Sequence, residues 1–556
     1  MKKINVISRA GLSTLWVLCL LYQHAQAQTH NAYTGMWEGN FMEQFKTVIL
    51  LDETEKSCYA GKIIMYSGEN RIQDDELSKI SIENQVLSFY IAAKESSFKG
   101  TFNEANTELS GNFIFPDNSK HPLTARKYNK DSAMVKSIDS PVKESRKLYF
   151  PVEELKSDLK DLVNKLKKYH PRLYSYTSEV SFEKQTEEIF SHLNEEISLE
   201  QFYLRVAPLV ESVACSHTGI RLPQSYQLSI HENGNFFPLN LFIQDQKAWY
   251  IPSTGPPCAE LAPGCEITSI NGKPADQIIQ DLLPLIPSQG NCMTTKYQVL
   301  NRDFPSYFYL LDHSDDFEIE FQSSGSEGKI NLEACSYSEV MPGEDNLMQP
   351  YNFRLDKDAG LGVLSISSFG LRDMEAYFAF LDSTFMLINR VSVPHLVLDL
   401  RDNQGGHPIF AAQLFSYLTD GEFTYFQRNP DVEEFEPLNH PMQANQNHFN
   451  GEIYVLVNGG CQSSTGHLIS LLKYHTESLF VGEAPGSSFM CNDFSIQQQL
   501  PHTGIELNIP RTTFITDVKG FAEKVPFLVD YRVRIPMEDI LQGKDSYLAF
   551  VEELIQ

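Results

Sequence analysis

Several features are missing from this chain, and each absence narrows what it is. Beyond residue 22 no stretch is long and apolar enough to cross a bilayer. No Cys-x-x-Cys pair occurs, and no metal-ligand spacing of Cys and His is found, so neither a thioredoxin-like redox centre nor a zinc site is indicated. No internal repeat is visible, which sets solenoids and propellers aside. Basic residues are scarce: 45 Lys and Arg stand against 72 Asp and Glu, a formal net charge of −27. That balance argues against nucleic acid and against anionic membrane surfaces as partners.

What is present begins with an export signal. Lys2, Lys3 and Arg9 precede an apolar stretch from Leu12 to Tyr22, and Ala25-Gln26-Ala27 is an A-x-A cleavage site. The pattern predicts a soluble, exported mature chain, periplasmic or extracellular. Eight of the nine cysteines lie beyond the signal, an even number in an oxidising compartment. Disulfides are expected to be possible, and Cys258 and Cys265 are close enough in sequence to suggest one.

At 556 residues the chain is too long for a single core, and three or four domains are expected. After the signal (1–27), residues 28–127 read as an all-β sandwich or barrel-like domain, with alternations such as Thr47–Leu51 and Leu87–Ile91 broken by turn residues. A Ser- and Lys-rich linker (128–150) follows. Leu155, Leu159, Leu162, Val163 and Leu166 then recur at helical spacing and open a helical region (151–230). His170-Pro171 ends its first helix, and further helices are expected over 182–193 and 199–213. The segment 236–340 carries Gly264-Cys265-Glu266-Ile267-Thr268-Ser269-Ile270-Asn271-Gly272-Lys273-Pro274-Ala275, a strand, an Asn-Gly turn and a helix start. It resembles the PDZ signature, which implies either capture of an extended peptide by strand addition or a rigid spacer. From 351 to 556 strand and helix patterns alternate, predicting an α/β layered core.

Two stretches of that core carry chemistry. Val397-Leu398-Asp399-Leu400-Arg401-Asp402-Asn403-Gln404-Gly405-Gly406 reads as a buried strand ending in paired glycines, which let the backbone present N–H groups as an oxyanion site needs. A structural turn with an Asp/Arg pair is the plainer reading, and Asp399 and Arg401 read as structural in either case. His407 is placed to line a cleft. Downstream, the strand Ile453–Asn458 leads into Gly459-Gly460-Cys461-Gln462-Ser463-Ser464-Thr465-Gly466. A serine there sits at a helix N-terminus, where the dipole and free N–H groups favour developing negative charge. N-cap chemistry alone accounts for Ser and Thr at such a place.

Together with Ser216-His217 upstream and Val481-Gly482-Glu483 downstream, these stretches resemble the tail-specific, or C-terminal processing, serine peptidases, built on a ClpP/crotonase-like core. The order of elements matches from about residue 152 to the C-terminus. The resemblance implies Ser463 as nucleophile, with Ser464 as its register-shifted rival, and a peptide or protein as substrate. It implies no metal or organic cofactor. Two departures matter. The family's Ser-Ala-x-Glu is here Ser463-Ser464-Thr465-Gly466. Members with a Ser-Lys dyad place the lysine about 25 residues beyond the serine, and the segment Ala484–Phe489 holds none. Lys473 is poorly placed to replace it. The histidine-using, tricorn-type branch fits better. It implies His217 as general base, Ser216 as an orienting or relaying group, and Glu523 as the third member of a triad. The N–H of Gly405 or Gly406, with that of Ser464, would form the oxyanion hole. The missing lysine and the altered serine motif also motivate a second reading, a non-catalytic protein binding a peptide or apolar ligand on this fold. An esterase using the same Ser-His pair is a third.

Overall fold

The computed structural model describes residues 33–41, 45–55, 58–67, 70–91, 96–103, 105–115, 119–127, 149–252, 258–323, 325–341, 350–371, 373–427 and 432–556. The export signal and almost all of the linker lie outside them. Two bodies are distinguished, 1–145 and 146–556.

The first body is a nine-stranded antiparallel sheet of barrel-like character. Its first strand, Gly35–Phe41, pairs with both Phe45–Glu55 and the last strand, Lys120–Lys127. Alternation decides its inside: Phe98 and Phe102 point inward from one strand while Lys99 and Thr101 face out. Trp37, Phe41, Phe89, Phe98, Phe102 and Phe113 fill that inside. Gly111 is required there, because a Cβ on it would lie 2.3 Å from the Gly100 Cα of the neighbouring strand.

The second body opens with helices Val152–Tyr169, Glu179–His192 and Leu199–Glu211. The leucine stripe of the first is buried as its spacing predicts, and His170 is its C-cap. The third starts on a capping box, Ser198 with Gln201. Tyr149–Phe150 is a strand paired with Ile197–Ser198, so the expected linker stops short of 150. Next comes a sheet running Leu241–Gln244, Lys247–Tyr250, Glu266–Ile270, Asp316–Ser323, Ser326–Glu333, with the helix Ala275–Leu282 packed on it. Asn271 and Gly272 both take positive φ, 50° and 74°, as the Asn-Gly turn demands. A long helix, Met293–Tyr309, is an addition the sequence pattern did not indicate. The suggested Cys258–Cys265 bridge is not formed. Both thiols are free, with Cys258 Sγ donating to Glu260 and Cys265 buried in the core.

The α/β core is a six-stranded sheet. Tyr351–Asp356 lies antiparallel to Leu361–Ile366, and His395–Asp399, Glu452–Val457, Leu479–Gly482 and Tyr531–Arg532 follow in parallel. Leu396, Val397 and Leu398 are fully buried, the continuous apolar run expected of a central parallel strand. Helices Met374–Val391, Pro408–Ser416 and Ser464–His475 complete the layers. Parallel pairing places the loops after His395–Asp399 and after Glu452–Val457 side by side at the carboxyl end of the sheet, where open α/β sheets bind ligands.

Candidate active site

Those two loops are laced together by side-chain amides. Asn403, fully buried, donates from Nδ2 to the Ile366 carbonyl at 2.9 Å and accepts from the Gly405 N–H at 2.9 Å. The Gln462 N–H donates to the Asn403 carbonyl at 3.0 Å. Asn458 accepts from the N–H groups of Asp402 and Gly460 at 3.0 Å each. Arg401 forks onto both Asp399 and Asp545, so the Asp/Arg pair is structural as expected, and burial does not strip its charge because two carboxylates hold it.

Gly405 and Gly406 sit at φ 93° and 140°. A Cβ on Gly405 would stand 2.7 Å from the Ser463 Cβ, so only glycine lets the two loops approach this closely. Ser463 itself has φ 53° and ψ −126°, a sparsely populated conformation for a residue with a side chain, at the sharp turn into the helix Ser464–His475. The geometry resembles the strained strand-to-helix turn that exposes a nucleophilic serine in other hydrolases. Among the described residues no hydrogen bond is made by the N–H of Gly406 or of Ser464, whereas that of Gly405 is committed to Asn403. The Ser464 hydroxyl is buried without a partner.

His217 stands at the turn Cys215–Thr218, just before the short strand Gly219–Arg221. That strand pairs with Glu506–Ile509, and Asn508 donates to the His217 carbonyl at 2.5 Å. On the ring, Nδ1 lies 3.2 Å from Ser216 Oγ, and Nε2 lies 3.7 Å from Asp493 Oδ2. Burial lowers the imidazole pKa, and the Asp493 carboxylate opposes that shift without cancelling it. The imidazole is therefore neutral near pH 7. The Cys491 thiol, on the wall of the same cavity as Ser463, lies 3.4 Å from His467 Nε2. Burial pushes His467 down to about 3. Ser463 and His217 share no hydrogen bond in this state.

The structure thus gathers Ser463, Ser464, Gly405 and Gly406 at one place, and Asp493, on the wall of the cavity that Ser463 lines, links it to His217 and Ser216. Glu523 shares no hydrogen bond with His217. Its carboxylate is ion-paired with Arg172, and its carbonyl accepts from Tyr176 Oη at 2.7 Å. Lys473 is bound to Asp530 at 2.7 Å and takes no part. Sequence reasoning missed Cys491, Asp493 and Asn508, which lie on the strands Met490–Asp493 and Glu506–Ile509. Short polar strands such as Ile496–Gln499 carry little apolar alternation, so the hairpins that bring these residues in left almost no signal.

Residues 360–524 match the model of peptidase family S41. This core belongs to family S41. The chain is accordingly a serine-type peptidase whose substrates are peptides or proteins. Among solved structures it is similar to mature CPAF, at 13% identity over 73% of this chain and 97% of that one, with a TM-score of 0.54. Mature CPAF complexed with lactacystin gives 12% identity over 73% and 98%, with a TM-score of 0.53. At such identities these establish a shared fold. The photosystem II D1 C-terminal processing protease is also found, at 16% identity over 71% and 98%, with a TM-score of 0.38. No curated protein matches the chain in sequence. No described helix of this chain is long and apolar enough to cross a membrane.

Proposed function

We propose that the S41 chain is an exported peptidase that cleaves through an acyl-enzyme formed on Ser463. The strained backbone of Ser463, held against Gly405 and Gly406, carries the reading, because such strain persists only where the surroundings enforce it. On substrate binding the Ser463 hydroxyl gives its proton to neutral His217. Catalytic hydrogen bonds commonly tighten only in the complex. Ser216 orients the ring, and Asp493 stabilises the imidazolium that forms, in the place expected for Glu523. The N–H groups of Gly406 and Ser464 hold the oxyanion, since that of Gly405 is already used. The C–N bond breaks as the His217 imidazolium gives its proton to the departing amine, and water, deprotonated in turn by His217, then releases the acyl group as the new carboxyl terminus.

The sheet that begins with Leu241–Gln244 serves as a PDZ-like module. Its first strand is at the edge of the sheet, where the Ile243 N–H donates to Asn301 at 2.6 Å, so a peptide added there would displace that side chain. A cavity of about 380 Å³ between that strand and the loop Asp399–Asp402 gives such a peptide room to run toward the core. Export follows from the signal at residues 1–27, and N-terminal sequencing of the secreted form should begin at Gln28.

The test is turnover of an unstructured protein substrate by the wild type, Ser463→Ala and Ser464→Ala. Turnover is expected from the wild type and Ser464→Ala, and none from Ser463→Ala. Equal activity in Ser463→Ala overturns the assignment. Tight peptide binding with no turnover by the wild type favours the non-catalytic reading, which the His217 ring motivates by meeting Ser216 and Asp493 and not Ser463.

A further inference from the structure

Ser463 forms part of the wall of a cavity of about 170 Å³, whose other walls include Pro408, Phe426, Phe435, Phe514 and His467. The rings pack on one another. Phe514 lies 5.5 Å from Phe426 and 5.7 Å from Phe435, and His467 lies 5.6 Å from Phe426. His467 brings no charge, since its imidazole is neutral at any pH near 7. The His407 imidazole also lines it, and the one carboxylate on the lining is that of Asp493, which sits at the mouth with 43% of its side chain exposed and faces His217. Phe494, 45% exposed and held at φ 60°, stands beside it, with the Arg511 guanidinium 5.9 Å from its ring.

Such a chamber is shaped by its physics for one kind of guest. An apolar cavity of roughly 150 Å³ is large enough to take a benzene ring, so this one accommodates a phenyl-sized side chain. A carboxylate guest would meet Asp493 on entry and find no lysine or arginine inside. An ammonium or guanidinium guest would leave water for a ring-lined space whose only carboxylate is at the rim.

Resting on the assignment of Ser463 as nucleophile, we propose that this cavity is the primary specificity pocket. It receives the side chain that precedes the scissile bond, and it selects Phe, Tyr, Leu or Met there. Phe435 is the residue best placed to set the preference. It lies half-buried on the short helical turn Glu433–Asn439, in contact with Phe514 and His407.

The experiment is digestion by the purified full chain of a peptide library varied at a single position, with products read by mass spectrometry. Phe, Tyr, Leu and Met should dominate immediately before the cleaved bond, with kcat/KM for Phe about tenfold or more above that for Ala, Lys or Glu. Phe435→Ala should lower the Phe-to-Ala ratio by about tenfold, and Phe435→Leu should retain part of it. A preference for basic, acidic or small residues overturns the inference. So does an unchanged ratio in a folded Phe435→Ala; if that variant does not fold, the wild-type profile decides alone. Covalent labelling of Ser463 by a fluorophosphonate, run in parallel, separates the two levels. Labelling together with a different preference removes only the pocket assignment. No labelling and no cleavage remove the nucleophile, and the pocket with it.

Discussion

The proton balance at His217 is the residue-scale feature on which the proposed chemistry turns. Its pKa is lowered by burial, so the ring is neutral and able to act as a base above that value. As pH falls through the lowered value the ring takes a proton and the base is lost. The acid limb of kcat/KM should therefore have its midpoint below the ordinary histidine value of 6.5. A midpoint at or above that value contradicts the arrangement. Asp493 raises the pKa, so Asp493→Asn should shift the limb to still lower pH while lowering kcat, a pairing that a merely structural role would not produce. Gly405→Ala brings a Cβ to 2.7 Å from that of Ser463, at a φ of 93°. A displaced serine and oxyanion hole should lower kcat by about 10²–10³, measured on protein whose circular dichroism is unchanged.

At the scale of elements, the amide lacing between the two catalytic loops makes the site rigid. Asn403→Ala removes the bonds to Ile366 and Gly405 and leaves buried partners unsatisfied, a loss of about 2 kcal/mol or more. Chemical denaturation should show it as a lower midpoint for the transition of the C-terminal body; an unchanged midpoint would mean that the loops hold without Asn403. The elements that position this lacing were legible in the sequence, because each parallel strand is buried on both faces and each helix begins at a recognisable punctuation, such as Pro408 at the start of its helix. The helix expected from Met374 to Arg390 runs Met374–Val391, and the strand expected over Leu396–Leu400 runs His395–Asp399. The hairpins between 490 and 515 were not legible. They are short and half-polar, and their pairing with Gly219–Arg221 spans nearly 300 residues of sequence, which no local pattern encodes. That is why Asp493 escaped notice.

For the whole molecule, two buried neutral histidines make acid the vulnerable side. His170 is pushed down to about 4 and His467 to about 3, both by burial first. Their folded values lie below the unfolded value of 6.5, so the unfolded chain binds protons first as the pH drops. Stability is full above 6.5 and is lost progressively toward the folded values. By pH 4 each should have cost the C-terminal body on the order of 3 kcal/mol. Denaturant midpoints at pH 7.5 and pH 4 check this, and His170→Phe should recover part of the difference. The charge of −27 acts in the same window, because protonating carboxylates removes solubilising charge as stability falls.

The central claim is that Ser463 is the nucleophile of an S41 peptidase that works without a lysine base. Its most direct measurement is mass-spectrometric mapping of the adduct formed when the purified wild-type chain reacts with a fluorophosphonate at neutral pH. The adduct is expected on Ser463, with reaction abolished in Ser463→Ala and strongly slowed in His217→Ala. An adduct on Ser464 or elsewhere, or wild-type labelling no greater than that of Ser463→Ala, would contradict it.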